Sequence, residues 1–253
     1  MGEPLEMEEH AAASLSGGLV NHGYQCGMLW GAALAAGAEA YRLYGPGPLA
    51  EVRSIVAAQK LVASFRNLAG KIDCREIIGL DMTGKMELLP LLRMLVTGKP
   101  VGCFFRAGRY AKLAFELIND ACSGPDMEVP SAPVSCSAEL ARRVGASGLH
   151  ATMAAGLAGG IGLSGGGCGA LGAAVWLAVM KGRSQGLGDK TLAGLTGRLF
   201  TMFSNVAGSD FRCSTVTGRR FDTIAGHAAC VRSGGCEAVI AALANVINGK
   251  EEA

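Results

Sequence analysis

Residues 149–180 contain no Asp, Glu, Lys or Arg, and this stretch limits the folds that are open to the chain. An apolar run of about 18 residues can form a transmembrane helix. Nine residues of this stretch are glycine, however, including Gly165, Gly166 and Gly167 in a row. Each glycine inside a helix costs about 1 kcal/mol relative to alanine. The sequence therefore predicts two buried helices joined by a glycine turn, and no membrane span.

Composition and charge favour a globular protein. The chain has 253 residues, of which 50% are apolar and 17% charged, so it can bury a sizeable core. The formal net charge is +2, and acids and bases are interspersed, so no nucleic-acid-binding pattern is present. The first ten residues are acidic and lack the basic and apolar regions of a secretory signal. We expect a cytoplasmic protein with no nucleic-acid partner.

Hydrophobic periodicity predicts an all-α fold. Apolar residues recur at i, i+3 and i+4 over residues 50–68, 108–121 and 236–247, which is the spacing of one face of a helix. No segment shows the alternation of a strand. The polar segment 123–133 holds three prolines and a glycine, so it predicts a linker between a first half, 1–122, and a second half, 134–253.

The two halves repeat each other. Gly17-Gly18 is followed eight residues later by Cys26, as Gly159-Gly160 is by Cys168, and both cysteines begin an Ala-rich helix. Cys74 follows "FRNLAG" as Cys213 follows "FSNVAG". The pattern predicts a tandem duplication, with two similar halves packed together. We expect the small-residue faces of helices 26–41 and 168–181 to pack closely, with Gly172 facing the core.

The nine cysteines are the candidates for chemistry. A free cysteine is often only a small buried hydrophobic residue, and Cys122, at the end of a predicted helix, fits that interpretation. Several others are predicted at helix starts, where free N–H groups and the helix dipole stabilise a thiolate. These are Cys74, with Asp73 as its cap, Cys136, with Ser135 as its cap, Cys168 and Cys236.

The spacing of the cysteines alone does not identify a metal. No C-x2-C pair is present, so a zinc ribbon is not indicated, and the absence of C-x-x-C-H excludes covalent attachment of c-type haem. His150 is better interpreted as a helix cap or core residue. His227 lies three residues before Cys230 and could join cysteines at iron.

The second half resembles a redox-active family named C_GCAxxG_C_C for its cysteine pattern. Cys136 matches the first cysteine of that pattern, Cys168 the central glycine–cysteine motif, and Cys213 and Cys236 the last two, with Cys230 as an extra. The first half resembles the pattern more loosely, through Cys26, Cys74 and Cys103. The two-half length is also similar to split-Soret cytochrome c, which implies a helical fold, a dimer and a 2Fe–2S cluster. Its haem is not implied, because the attachment motifs are missing.

From these observations we expect a redox protein that binds an iron–sulfur cluster, of 2Fe–2S type, and transfers electrons. The predicted metal ligands are Cys168, Cys213, Cys230 and Cys236, with Cys136 as a reserve ligand. The alternative is a metal-free thiol–disulfide or persulfide redox protein. Cys26, Cys74 and Cys103 are either a second site or packing residues. No motif identifies the redox partner, and the apolar Ala/Gly surfaces predict a homodimer.

Overall fold

The structure is a computed structural model that describes residues 4–79, 99–125 and 127–250. Those residues form an all-α fold, as predicted, and their only β-type pairings are two isolated bridges. The helices of the first half are α1 (Glu6–Ala12), α2 (Gly27–Tyr44), α3 (Pro48–Ala69), α4 (Cys74–Ile78) and α5 (Lys99–Cys122), with a 3₁₀ turn at Ala13–Leu15. Those of the second half are α6 (Cys136–Arg143), α7 (Gly148–Ala155), α8 (Gly169–Ser184), α9 (Asp189–Ala207), α10 (Cys213–Val216), α11 (Ile224–Arg232) and α12 (Glu237–Asn248).

The charge-free stretch folds as predicted, into the buried helices α7 and α8 joined by a glycine-rich turn. In that turn the backbone at 159–163 has five successive positive φ angles, between 56° and 79°. The turn at 17–21 does the same, with φ between 51° and 77°. Left-handed backbone costs about 1–2 kcal/mol for each residue that carries a Cβ, so the glycines in both turns lower the cost of this shape.

Backbone hydrogen bonds recur between the halves at corresponding positions. The amide of Cys26 donates to the carbonyl of Ile72 (2.8 Å), and that of Cys168 donates to the carbonyl of Phe211 (2.7 Å). One bridge pairs Gln25 with Asp73, and the other pairs Gly167 with Arg212. This recurrence is what a tandem duplication would produce, and the duplication itself stays a prediction.

The halves interlock through their short helices. The first-half helix α1 packs on α8, and the second-half helix α7 packs on α2. The ring of His150 on α7 lies 2.8 Å from the carboxylate of Glu8 on α1, and the indole of Trp176 donates to the Glu8 carbonyl (3.1 Å). The core is therefore continuous across the two halves.

One packing prediction is wrong. Helices α2 and α8 do not pack along their length, because α7 lies against α2 and α1 lies against α8. They meet locally, where the ring of Trp30 lies over Gly172, so that a Cβ on Gly172 would come within 2.2 Å of that ring. Gly172 therefore faces the core, as predicted.

In the part of the chain that the structure describes, no single helix is long and apolar enough to cross a membrane. The bent pair α11 and α12, which meet at 71°, passes the same length and composition test only when both helices are taken together.

Candidate cysteine redox centre

Four cysteines of the second half meet in one buried place, and each stands at the start of a helix. Cys136 begins α6, Cys168 precedes α8, Cys213 begins α10 and Cys236 precedes α12. Their side chains are all buried, and their thiols interact electrostatically with one another. Segments that are far apart in the sequence thus bring four sulfur atoms to the same site.

An antiparallel bridge holds Cys168 beside Cys213. The amide of Cys168 donates to the Phe211 carbonyl, and the amide of Cys213 donates to the Gly166 carbonyl (2.6 Å). Glycine is favoured at position 166, because a Cβ there would lie 2.0 Å from the side-chain nitrogen Nε2 of Gln25, which a buried hydrogen bond to the Gly160 carbonyl holds in place. This close approach explains why glycines precede Cys168 in the sequence.

Cys136 lies at the centre of the cluster, between Cys236 and His227. Its pKa is held well below the ordinary value, first because the Cys236 thiol hydrogen-bonds to it and then because His227 contributes positive charge, although burial opposes this. The same hydrogen bond, together with burial, raises the pKa of Cys236. The two thiols therefore ionise as a coupled pair, in which a charge on one sulfur is stabilised by a hydrogen bond from the other.

His227 is buried beside this pair. Burial lowers its pKa, but the charge of Cys136 and the hydrogen bond with Cys136 outweigh burial and raise it. Nδ1 lies 3.1 Å from the carbonyl of Val134, which fixes the orientation of the ring. Nε2 is buried and has no geometrically aligned hydrogen-bond partner among the described residues. The imidazole is thus anchored through Nδ1 and buried beside the Cys136 sulfur.

Burial also opposes ionisation of the other two thiols. Burial, reinforced by the nearby charge of Cys136, raises the pKa of Cys168 to about 12, although the amides of Leu171 and Ala170 favour its thiolate. Burial and the charges of Cys168 and Cys136 raise the pKa of Cys213 as well. Burial is thus the main reason that these thiols resist ionisation, and the neighbouring cysteines add to it.

The structure brings three of the four predicted ligands together: Cys168, Cys213 and Cys236. The fourth, Cys230, is buried on α11 and interacts with Cys213. Cys136, which the sequence analysis ranked as a reserve, is in direct contact with Cys236. The sequence signal for Cys136 is its match to the first cysteine of the family pattern, and its predicted cap is present, because Ser135 accepts a hydrogen bond from the Ala138 amide (3.2 Å).

The first half brings Cys26, Cys74 and Cys103 within electrostatic range of one another. These three are half-buried rather than buried. Burial raises the pKa of Cys26, and it raises that of Cys74 to about 11, with the neighbouring thiols adding to the second shift. Asp73 occupies the cap position before Cys74, but its side chain makes no capping hydrogen bond, so that predicted cap is wrong. Cys122 is separate from both groups and is buried at the end of α5.

Within residues 4–79, 99–125 and 127–250, no three His, Cys, Asp or Glu side chains are placed to hold a single metal ion. The cysteine cluster is therefore a set of neighbouring thiols rather than a closed cage around one ion.

Residues 2–94 match the model of a protein family described as "Putative redox-active protein (C_GCAxxG_C_C)". The match includes Cys26 and Cys74 and lies in the half whose resemblance to the pattern is looser. No curated protein and no solved structure matches the chain.

Proposed function

From the match of residues 2–94 to a redox family, we propose that this chain is a redox protein whose reactive centre is the buried cysteine cluster of the second half. The convergence of Cys136, Cys168, Cys213 and Cys236 from four helix starts is the observation that carries the proposal.

The first candidate for this centre is an iron–sulfur cluster of 2Fe–2S type, which supplies one-electron transfer when bound. Such a cluster takes four cysteine thiolates, two on each of its two irons. It therefore does not require three protein ligands around a single metal ion. The contacts suggest Cys136 with Cys236 and Cys168 with Cys213 as the two pairs. Cys230, predicted from the sequence, stays a fifth candidate ligand beside Cys213.

Several groups of this chain would tune such a centre. The amides of Ala170 and Leu171 point at the Cys168 sulfur, and the amide of Gly159 points at the Cys136 sulfur. Hydrogen bonds to cluster sulfurs and exclusion of solvent are two of the factors that set the reduction potential. The chain thus offers both the donor set and its surroundings.

The second candidate is a metal-free dithiol, and the direct contact of Cys136 with Cys236 favours it. In that case Cys136 attacks a small-molecule disulfide and displaces one thiolate. Cys236 then attacks the sulfur of Cys136 and displaces the second, which leaves a protein disulfide and two reduced thiols. Burial counts against this reaction, because Cys136 is 3% exposed and Cys236 is 9% exposed, and an incoming disulfide must reach the attacking sulfur. We therefore place the iron–sulfur centre first.

The deciding experiment is anaerobic purification of the intact chain with measurement of iron, labile sulfide and visible absorbance. We expect about two irons and two sulfides per chain, as a 2Fe–2S cluster requires. Cys168→Ser should remove both, whereas Cys26→Ser, its counterpart in the first half, should retain them. Comparison of Cys136→Ser with Cys230→Ser identifies the fourth ligand.

Absence of iron and sulfide after anaerobic reconstitution would contradict the cluster. If the same preparation then forms a disulfide between Cys136 and Cys236 on oxidation, as mapped by mass spectrometry, the dithiol candidate stands. Equal loss in Cys168→Ser and Cys26→Ser would contradict the placement of the centre in the second half.

A further inference from the structure

Helix α5 presents aromatic residues to solvent on one face. Its other face is buried through Tyr110, Ala114 and Ile118 and packs against α2 and α3. On the outer face Phe104 is 81% exposed and Phe105 is 73% exposed. Two adjacent phenylalanines that are this exposed lose the hydrophobic stabilisation that either would gain by burial. Such a patch is typical of a surface that binds something.

Basic side chains share this face. Arg109 and Lys112 are exposed and line, with Phe104, Phe105 and Gly108, a shallow depression of about 520 Å³. Among the described residues, neither Arg109 nor Lys112 forms an ion pair with a carboxylate. The helix contains no Asp or Glu before Glu116. The outer face is therefore both aromatic and positively charged over residues 104–112.

A second apolar surface adjoins this face. Between α2 and α5 runs a groove of about 360 Å³, whose α2 side is lined by Met28, Gly31, Ala32 and Ala35 and whose α5 side includes Phe115. A Cβ on Gly31 would meet nothing within 4 Å, so the floor of the groove is open. The groove extends the apolar area beyond the two phenylalanines.

We propose that this face of α5 docks on the anionic surface of a lipid bilayer. Phe104 and Phe105 enter the boundary between headgroups and acyl chains, while Arg109 and Lys112 contact headgroup phosphates. A helix that lies in the interface combines a Phe-containing apolar side with Lys and Arg that reach the headgroups, and α5 combines both on its exposed face. This inference is independent of the chemistry proposed for the cysteine cluster.

Charge favours a bilayer over a second copy of the chain. In a twofold contact the same patch lies on both subunits, so Arg109 and Lys112 would face their own copies near the contact axis. Like charges in such a position oppose association. An anionic lipid surface instead attracts both side chains.

The test is co-sedimentation of the intact chain with vesicles of phosphatidylcholine alone and of phosphatidylcholine mixed with phosphatidylglycerol. We expect binding to the mixed vesicles only, with loss at high salt, since ions screen headgroup attraction. The double variant Phe104→Ser/Phe105→Ser should abolish binding, and Arg109→Gln/Lys112→Gln should weaken it on the order of tenfold. The matched control is Val206→Ser/Lys190→Gln, an exposed apolar and a basic residue on α9, which should bind as the wild type does.

Three results would overturn the proposal. The first is no binding to the mixed vesicles, and the second is equal loss of binding in the α5 and α9 variants. The third is a dimer in sedimentation equilibrium that Phe104→Ser/Phe105→Ser dissociates, together with no vesicle binding, since that assigns the face to a second copy. Circular dichroism melting of each variant establishes that a loss of binding is not a loss of fold.

Discussion

Cys26 and Cys74 in the first half have the same backbone arrangement around them as Cys168 and Cys213 in the second. In each pair one cysteine precedes a long helix and the other begins a short one, with a single antiparallel bridge between them. Their surroundings differ. The first pair is half-exposed and, among the described cysteines, is joined by Cys103, whereas the second is buried and is joined by Cys136 and Cys236.

Helix α6 contributes to this difference. Cys136 lies on α6, which packs against α7, α8 and α12, and it covers the cysteines of the second half. The first half has no described counterpart of α6. The bridged cysteine pair is therefore common to both halves, and in the second half α6 and α12 bring two further cysteines to it in a buried place.

The largest difference between the pairs should be in thiol reactivity. We expect N-ethylmaleimide to label Cys26, Cys74 and Cys103 about a hundredfold faster than the four buried cysteines in the native, metal-free chain, because labelling a buried thiol requires local opening. Mass spectrometry of peptides after timed labelling measures this. In denaturant all nine should react alike. Native labelling of Cys168 or Cys213 at the rate of Cys26 would contradict the comparison.

The pH dependence of the labelling rate of Cys74 tests whether this thiol is partly buried. The pKa of Cys74 is raised to about 11, mainly by burial, and only the thiolate reacts. Its labelling rate should therefore still rise between pH 9 and 11, whereas a free thiol levels off near its ordinary pKa. Since the folded pKa is raised, the protonated thiol favours the folded state at neutral pH, and this contribution is lost as the pH rises through that range. A rate that levels off near pH 9 would show that Cys74 is solvated.

Much of this comparison could be predicted from the sequence, because it depends on local signals. Glycine pairs before Cys26 and Cys168 and helical periodicity after them indicated the turn and the long helix in both halves. The helices predicted over 50–68 and 236–247 are Pro48–Ala69 and Glu237–Asn248 in the structure. The packing of α2 and α8 could not be predicted. It depends on two contacts between the halves: α1 packs on α8, and α7 packs on α2. No local pattern in the sequence predicts such contacts. The central place of Cys136 depends in the same way on tertiary contacts with Cys236 and His227.

Gly169 follows Cys168 as Gly27 follows Cys26, so alanine substitutions at these two glycines compare the packing of the two turns. A Cβ on Gly169 would lie 1.9 Å from the carbonyl oxygen of Leu157, whereas a Cβ on its counterpart Gly27 would lie 3.0 Å from the nearest atom, the Cα of Ser16. Gly169→Ala should therefore destabilise the chain by about 3 kcal/mol, since the backbone must shift. Gly27→Ala should cost less than about 1 kcal/mol. Chemical denaturation of both variants measures the difference, and equal costs would mean that the two turns are packed alike.

Gln25 joins the two cysteine-bearing turns directly. Its side-chain amide donates to the Gly160 carbonyl and accepts from the Gly167 amide, both at 2.7 Å, inside a buried contact. Gln25→Leu leaves the Gly167 N–H buried and unpaired, which costs about 1–3 kcal/mol. We expect it to destabilise the whole chain in denaturation and to speed labelling of Cys168 as well as of Cys26. Faster labelling of Cys26 alone would show that the halves are not coupled here.

The smallest expected change in stability concerns two cap positions, Ser135 before Cys136 and Asp73 before Cys74. Ser135 bonds the Ala138 amide and also donates to the Ala155 carbonyl (3.2 Å), so it ties α6 to α7. Asp73 stands at the equivalent cap position before Cys74 and makes no capping bond. Ser135→Ala should cost about 1 kcal/mol, the usual value of an N-cap, whereas Asp73→Ala should change the free energy of unfolding by less than about 0.5 kcal/mol. The pKa of Asp73 is raised by burial, so its removal also relieves a charge that is poorly solvated. A larger loss for Asp73→Ala than for Ser135→Ala would mean that the carboxylate caps α4 in solution, and that the first cysteine pair is held more tightly than its exposure suggests.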